Sequence, residues 1–248
     1  MFAEKRHEKI MDRLKDKGVV KVSELVEELS TSEATIRRDL AALEEMNHLR
    51  RVHGGAVPVQ NKMLEKSYND KAKQNMSEKD RLAKFAAGLI NDGDSIYLDS
   101  GTTVYEMIKY VGQKDILVVT NGISHVEALI QHNIPAILLG GKVKPKTKAL
   151  IGSMAMESLK NYHFDKCFMG TNGIDANHGL TTPDPEEGAL KNLAITLSKE
   201  AFVLADEMKV GEISFMKFAD VNEATLITNA KDNLDVYEQK TIVKVVAP

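Results

Sequence analysis

Residues Ser30–Val57 read STSEATIRRDLAALEEMNHLRRVHGGAV, and this stretch decides the fold at the front of the chain. Ile36, Leu40 and Leu43 stand at i, i+4 and i+7, the spacing of one buried helical face. Thr35, Arg37 and Arg38 are thereby turned to the other side, where a pair of guanidiniums suits phosphates or guanine edges. The helix is expected to run to about Met46. Ser30 and Glu33 have capping-box spacing, and Ser32 is an alternative cap, so the start stays open between them. The LRRVHGGAV that follows reads as a hairpin turning at Gly54–Gly55. Its Arg50, Arg51 and His53 are placed to reach a nucleic-acid backbone or minor groove.

Upstream, Glu4–Lys17 is predicted as a first helix, with Ile10 and Leu14 one turn apart and Gly18 as its stop. Val19–Val22 is short and β-branched, a minor strand able to pair with the hairpin. Ser23 is expected to cap a second helix through Leu29, with Leu25, Val26 and Leu29 inward. Two helices joined by so tight a turn, the second bearing arginines, have helix-turn-helix geometry. Net charge does not mark the segment, because residues 1–57 carry eleven Lys and Arg against eleven Asp and Glu. The signal lies in clustering. Arg37, Arg38, Arg50 and Arg51 have planar forks that suit bidentate contacts, and the acids are expected on the outer helices. A solvated charged face is the bland alternative.

The chain of 248 residues is 43% hydrophobic and 28% charged with net charge −3, an ordinary soluble composition with room for more than one domain. No apolar leader follows Met1 and the longest apolar runs are strand-sized. Neither a signal peptide nor a membrane span is expected, and a cytoplasmic location is. The lone Cys167 excludes an internal disulfide framework and reads as a buried strand thiol within CFMG. Residues 58–77 are polar and lysine-rich, a connector with some helix in its later half between domains at 1–57 and 78–248.

Beyond the connector, helices are predicted at Leu82–Ile90, Val104–Val111 and His125–His132. Strands are predicted at Ser95–Leu98, Ile116–Val119, Ala136–Leu139, Lys166–Met169, Ala201–Ala205, Thr225–Thr228 and Thr241–Val246. Helix-sized spacers between strands argue a mainly parallel α/β sheet, whose ligands gather where strands end. Asp99-Ser-Gly-Thr-Thr103 ends a strand and opens a helix. There Gly101 leaves room for amides to meet an anion, and Ser100, Thr102 and Thr103 add hydroxyls. A plain strand-to-helix turn accounts for the same residues. Asn121, the pair Gly140 and Gly141, the pair Asn172 and Gly173, and Asp206 with Lys209 repeat the theme at other strand ends. Together they suit a phosphorylated polyol. In TPDPEE, Asp184 as N-cap, Pro185 at N1 and Glu187 at N3 make a good helix start. A Glu turned toward sugar hydroxyls, Glu186 being the candidate, is the functional alternative. No dinucleotide or P-loop motif occurs and the histidines lack metal-ligand spacing, so no cofactor and no metal are expected.

SEATIRRDLAALEE together with LRRVHGGA closely resembles the DeoR family of bacterial transcriptional regulators. DSGTT, VTNG, LGG, FDKCFMGTNGID, GLTTPDPEEGALK and ADEMKVGEISF resemble that family's sugar-phosphate-sensing domain, which is similar in fold to ribose-5-phosphate isomerase. The resemblance implies an α/β protein with an N-terminal winged helix-turn-helix and a C-terminal effector domain. The implied contacts to double-stranded operator DNA come from Ser32, Thr35, Arg37, Arg38, Arg50, Arg51 and His53. It implies a repressor released by a phosphorylated sugar, and symmetric operators imply a homodimer or homotetramer. GEISF and KTIVKVV look most like the branch that serves fructose operons in Gram-positive bacteria, which implies fructose 1-phosphate. Phosphate would then fall to Gly101, Thr102 and Thr103, with Lys209 by weaker analogy. Asp99, Asn121, Asn172 and Asp206 would address hydroxyls or shape the pocket. The chain departs from the family at Asn47, where glycine is usual but Asn also tolerates a left-handed turn, and at Glu207-Met208. The rival reading is a sugar-phosphate isomerase with an appended nucleic-acid module, drawing on Asp99, Asp206, Glu186 and Glu187. An isomerase has no use for the basic winged segment.

Overall fold

The computed structural model describes residues 2–46, 48–58, 63, 65–112 and 115–247, and the chain divides into two compact units, Met1–Asn61 and Lys62–Pro248. The expected turn at Asn47 and connector residues 59–62 and 64 lie outside the described residues.

The smaller unit is built from α1 (Ala3–Lys17), β1 (Val20–Lys21), α2 (Val22–Leu29), α3 (Glu33–Glu45), β2 (Leu49–Val52) and β3 (Gly55–Pro58). Its strands lie in the order β1-β3-β2, with Val20 and Arg51 both opposite Ala56, so the minor strand does pair with the wing. Gly54 makes the turn at φ 77, a left-handed conformation that glycine takes at no steric cost. Ile10, Leu14, Leu25, Ile36, Leu40 and Leu43 are sealed together. Each such side chain contributes about 1.5–3 kcal/mol of hydrophobic stabilisation. One cap differs from expectation, and the α3 start left open between Ser30 and Ser32 falls to Ser32. Lys21, not Ser23, is the N-cap of α2 and offers no side-chain bond. Ser30, at φ 48, closes α2, so it cannot also take the extended N-cap conformation that opens α3. Ser32 does, accepting from the Thr35 amide.

The larger unit begins with two helices, α4 (Tyr68–Ala72) and α5 (Met76–Ala87). It continues through β4 (Ser95–Leu98), α6 (Thr102–Tyr105), β5 (Leu117–Thr120), α7 (Ile123–Gln131) and β6 (Ala136–Leu138). A hairpin of β7 (Lys142–Lys144) and β8 (Ala149–Ile151) leads to α8 (Ser153–Leu159) and β9 (Phe164–Gly170). Then come β10 (Gly173–Asp175), β11 (Gly179–Thr182), α9 (Pro185–Thr196), β12 (Ser198–Ala205) and β13 (Met216–Ala219). The chain closes with β14 (Thr225–Thr228), α10 (Asp235–Glu238) and β15 (Val243–Val245).

Seven of these strands form one parallel sheet in the order β15-β14-β12-β9-β4-β5-β6. Side chains alternate across it as the two-residue period requires. Ile96, Leu98, Val118 and Phe168 pack toward α5, α6 and α7, whereas Tyr97, Val119, Cys167 and Met169 pack toward α8 and α9. Cys167 is fully buried, which pushes its thiol up to about 12. The chain starts in the middle of the sheet, winds outward through β5 and β6, then returns to the other side of β4 as β9. The winding therefore reverses between β4 and β9, the position where open α/β sheets leave a crevice at their carboxyl edge.

The hairpin β7–β8 and the antiparallel set β10-β11-β13 have no counterpart in the sequence-based expectations. These strands are three or four residues long, too short for alternation to stand out. The predicted helix over Val104–Val111 is instead α6 and a separate 3-10 turn at Ile108–Tyr110. No described helix is long and apolar enough to cross a membrane.

Candidate functional site

In the smaller unit, α3 owes its position to a buried charge. Asp39 takes a forked bond from Arg6 at 2.7 and 2.9 Å and a third contact from His7 at 3.1 Å, tying α1 to α3. This corrects the expectation that the acids of this segment sit on the outer helices, since Asp39 is on α3 and only 6% exposed. Burial pushes the Asp39 carboxyl up, but the bonds from Arg6 and His7 outweigh it and hold the pKa below the usual value.

With Ile36, Asp39, Leu40 and Leu43 inward, the opposite face presents Arg37 and Arg38 to solvent. Ser32 and Thr35 join through their hydroxyls at 2.8 Å and stand at the head of that face. The four arginines divide into two kinds. Arg37 is held by Glu33 at 2.6 Å and Arg51 by Glu44 at 2.6 Å, both exposed pairs. The guanidiniums of Arg38 and Arg50 are exposed and have no ion pair or hydrogen bond among the described residues. His53 is also exposed, beside the turn. The result is a helix face and wing with two free guanidiniums and two weakly leashed ones.

In the larger unit, Asp99 and Gly170 meet at the reversal between β4 and β9. Asp99 Oδ2 accepts from the Gly170 amide at 3.0 Å and from Lys191 Nζ at 2.6 Å, and the same ammonium reaches the Gly170 carbonyl at 3.0 Å. Asp99 is thus neutralised and pinned. The hydroxyls of Ser100, Thr102 and Thr103 above it make no hydrogen bond with a described residue, although all three residues are largely buried. A Cβ on Gly101 would stand 3.2 Å from Asp99 Oδ2, so its smallness serves this packing.

Asn121 is brought to the same place but is occupied, accepting from the Ser100 amide at 3.1 Å and donating to the Leu150 carbonyl at 3.2 Å. Asn172 accepts from the Thr182 hydroxyl at 3.2 Å, and Gly173 pairs with Thr181 in the antiparallel set. Gly140 is exposed, whereas Gly141 adopts φ 143 where a side chain would press on the Ile151 carbonyl. Gly141 serves the entry to the hairpin. Asp206 caps the 3-10 turn Glu207–Lys209 by accepting from the Met208 amide at 3.1 Å. Asp184 caps α9, bonding the Glu186 and Glu187 amides at 2.8 and 3.1 Å. Glu186 stays half-exposed on Lys142 at 3.1 Å, and it is Glu187 that turns inward, onto Thr147 at 2.6 Å.

Two lysines define the cationic side. The Lys209 ammonium has no hydrogen bond or ion pair among the described residues. Burial pushes its pKa down, Asp206 opposes that, and Lys71 and Lys66 add to the depression. Lys79, on α5, is 6% exposed, and its ammonium donates to the Lys71 carbonyl. Burial lowers it to about 8, with Asp206 opposing and Lys209 reinforcing the shift. Two ammoniums that bear on one another, with no carboxylate bonded to either among the described residues, could hold an anion. Lys79 was hidden in the sequence because SEKDR reads as a solvated charged run. Lys191 had a signal, since it falls four residues after Glu187 and so shares its helix face. His125 is the other unforeseen feature. It is fully buried with its ring edge-on to Tyr105, and the Asp99 backbone acts on it, yet neither ring nitrogen reaches hydrogen-bond geometry. Burial lowers it to about 4, so it is neutral at pH 7.

Residues 6–62 match the DeoR-like helix-turn-helix domain, and residues 74–230 match the DeoR C terminal sensor domain. The chain is 47% identical to the HTH-type transcriptional regulator FruR of Bacillus subtilis, covering 100% of both chains. It is 32% identical to a lactose phosphotransferase system repressor of Staphylococcus epidermidis, covering 94% of each. A ribose 5-phosphate isomerase A from Methanocaldococcus jannaschii aligns with 55% of each chain at 20% identity and a TM-score of 0.42, a partial likeness of fold. The relatives carry the names of regulators and repressors rather than of enzymes, which sets the isomerase reading aside. The chain belongs to the DeoR family of transcriptional regulators.

Proposed function

We propose that this protein is a repressor of a sugar-utilisation operon whose hold on DNA is released by a phosphorylated sugar. The observation that carries the reading is the anion place in the larger unit. Among the described residues, Lys79 and Lys209 have no carboxylate partners, and the hydroxyls of Ser100, Thr102 and Thr103 at the reversal of the sheet make no hydrogen bond. A phosphate offers several acceptor oxygens and about two negative charges, which matches two ammoniums and a set of hydroxyl and amide donors. Asp99, Asn121, Asn172, Asp206 and the acids of α9 would face the polyol. Fructose 1-phosphate is the proposed effector, on the likeness of GEISF and KTIVKVV to the fructose branch of the family. That a relative is named for a lactose phosphotransferase system supports a sugar regulon.

The smaller unit would bind double-stranded operator DNA through Ser32, Thr35, Arg37, Arg38, Arg50, Arg51 and His53, as a homodimer or homotetramer on a symmetric site. The exposed ion pairs of Arg37 and Arg51 are each worth less than about 1 kcal/mol, so phosphates can displace Glu33 and Glu44 at little cost. An effector that favours the non-binding arrangement shifts the population away from DNA. The test is a gel shift on the DNA upstream of the gene, titrated with fructose 1-phosphate, fructose 6-phosphate, glucose 6-phosphate and inorganic phosphate. A retained complex that fructose 1-phosphate releases supports the reading. A complex indifferent to all four removes the effector, and the absence of any complex removes the repressor.

A further inference from the structure

The ammonium of Lys144 is shared by three carboxylates from three different parts of the larger unit. It lies 2.6 Å from Glu65 Oε2, 2.8 Å from Asp184 Oδ2 and 3.2 Å from Glu187 Oε1. A lysine has three N–H donors, so this one is saturated. Asp184 and Glu187 belong to the first turn of α9, whose next turn carries Lys191 onto Asp99 in the floor of the effector site. Glu65 belongs to the segment that enters the larger unit from the connector, where it is 6% exposed and also bonded to Lys71 at 3.0 Å.

The hairpin that carries Lys144 makes the same two connections a second time. Its Leu150 and Ala149 pair with the Asn121–Gly122 loop, which holds the Ser100 amide. Its Lys146 carbonyl accepts from the Tyr68 amide at 2.8 Å, and Lys148 lies over the Tyr68 ring at 4.8 Å. The same short hairpin thus grips the effector loops on one side and the entering segment on the other.

We propose that Lys144 is a positioning residue that couples occupancy of the effector site to the segment leading from the DNA-binding unit. The inference rests on the effector reading given above. Three acids, Glu65 and Glu187 buried and Asp184 partly exposed, against Lys144 and Lys71 leave one negative charge in excess, so a carboxylate drawn toward a sugar hydroxyl changes the balance of the whole set. Breaking one member of a buried ion cluster is costly, which makes the cluster move as a unit rather than yield piecemeal. Contact alone does not establish coupling; a measured interaction between the sites does.

Full-length Glu65→Gln, Lys144→Met and the double variant are compared with wild type in two measurements. Calorimetry reads binding of fructose 1-phosphate, fructose 6-phosphate and glucose 6-phosphate, and a gel shift reads the concentration of each that releases half of the DNA. Glu65→Gln is expected to keep wild-type sugar-phosphate affinity within about twofold while its half-release concentration rises at least about tenfold, a coupling change of about 1.4 kcal/mol. The double variant, which leaves no partner of the Glu65–Lys144 pair charged, is expected to lose no more coupling than the worse single variant. Circular dichroism checks the fold, and the double variant carries the test if Glu65→Gln unfolds. Wild-type release by the Glu65→Gln protein overturns the proposal, and so does a parallel loss of binding and release, which marks a merely structural role. If wild-type protein binds none of the three sugar phosphates, the effector reading falls and this proposal falls with it.

Discussion

The two units handle positive charge in opposite ways. In the smaller one, the cations of the α3 face and wing stand in water; the Arg38 and Arg50 guanidiniums have no partner among the described residues, while Arg37 and Arg51 are held by exposed acids. In the larger one, Lys144, Lys166 and Lys191 are at least largely buried and bonded to carboxylates, at 2.6 Å from Glu65, Asp94 and Asp99 respectively. Lys79 and Lys209 depart from it, since their ammoniums have no carboxylate bond among the described residues. A surface meant for a long polyanion needs cations that are cheap to redirect, since counterion release supplies much of the binding. A pocket meant for one small anion needs few cations, held in place and partly dehydrated. The contrast therefore separates residues that contact a ligand from residues that hold the fold.

The largest expected effect falls on a charge of the second kind inside the first unit. Asp39→Ala leaves Arg6 without its forked partner and should destabilise the smaller unit by about 3–5 kcal/mol, read by chemical denaturation of the full chain. Because its folded pKa is depressed, the Asp39 contribution is present above the usual carboxylate range and is lost as pH falls through the folded value. Arg38→Ala should leave stability unchanged and weaken operator binding by about 1–3 kcal/mol, with Arg37→Ala no more severe. Equal losses of stability at Asp39 and Arg38 would erase the distinction.

Lys209→Met should weaken fructose 1-phosphate binding by about 1.5–3 kcal/mol, the loss of a charged hydrogen bond, without changing DNA affinity in the absence of sugar. The same anion place gives a pH dependence. Lys79 is protonated below about 8 and neutral above it, so sugar-phosphate affinity should hold near pH 7 and fall as pH rises past 8. The phosphate itself, with a second pKa near about 6, keeps its charge across that window. Calorimetry between pH 7 and pH 9 checks it. Flat affinity would mean that Lys79 faces no anion.

The smallest effect belongs to His125. Replacing a buried imidazole whose nitrogens have no partner in hydrogen-bond geometry among the described residues with an apolar side chain is near neutral or favourable, so His125→Leu should raise Tm by about 2 °C. A fall of several degrees would show that the ring has a partner.

Much of this was legible in the sequence where one physical rule governs several residues. The α3 face followed from the spacing of Ile36, Leu40 and Leu43, and the parallel strands followed from alternation with helix-sized spacers. Asp184 capping α9 followed from its proline and acids. What escaped depends on contacts between distant positions. Nothing local distinguishes Lys79 or Lys144 from surface lysines, and Asp39 looked like one more acid among eleven. Which of Glu186 and Glu187 turns inward depends on the rotation of α9, which no local pattern gives. The connector, read as polar, carries Glu65 buried against Lys144 because a saturating partner lies 79 residues away in sequence.

The most direct trial of the account is fluorescence anisotropy of a labelled duplex from the region upstream of the gene, at low ionic strength, with wild-type and Arg38→Ala protein and added fructose 1-phosphate. Saturable binding by wild type, lost on sugar-phosphate addition and weakened about tenfold or more in the variant, is the expected result. Wild-type protein that does not bind the duplex, or binds it as tightly with Arg38 removed, contradicts it.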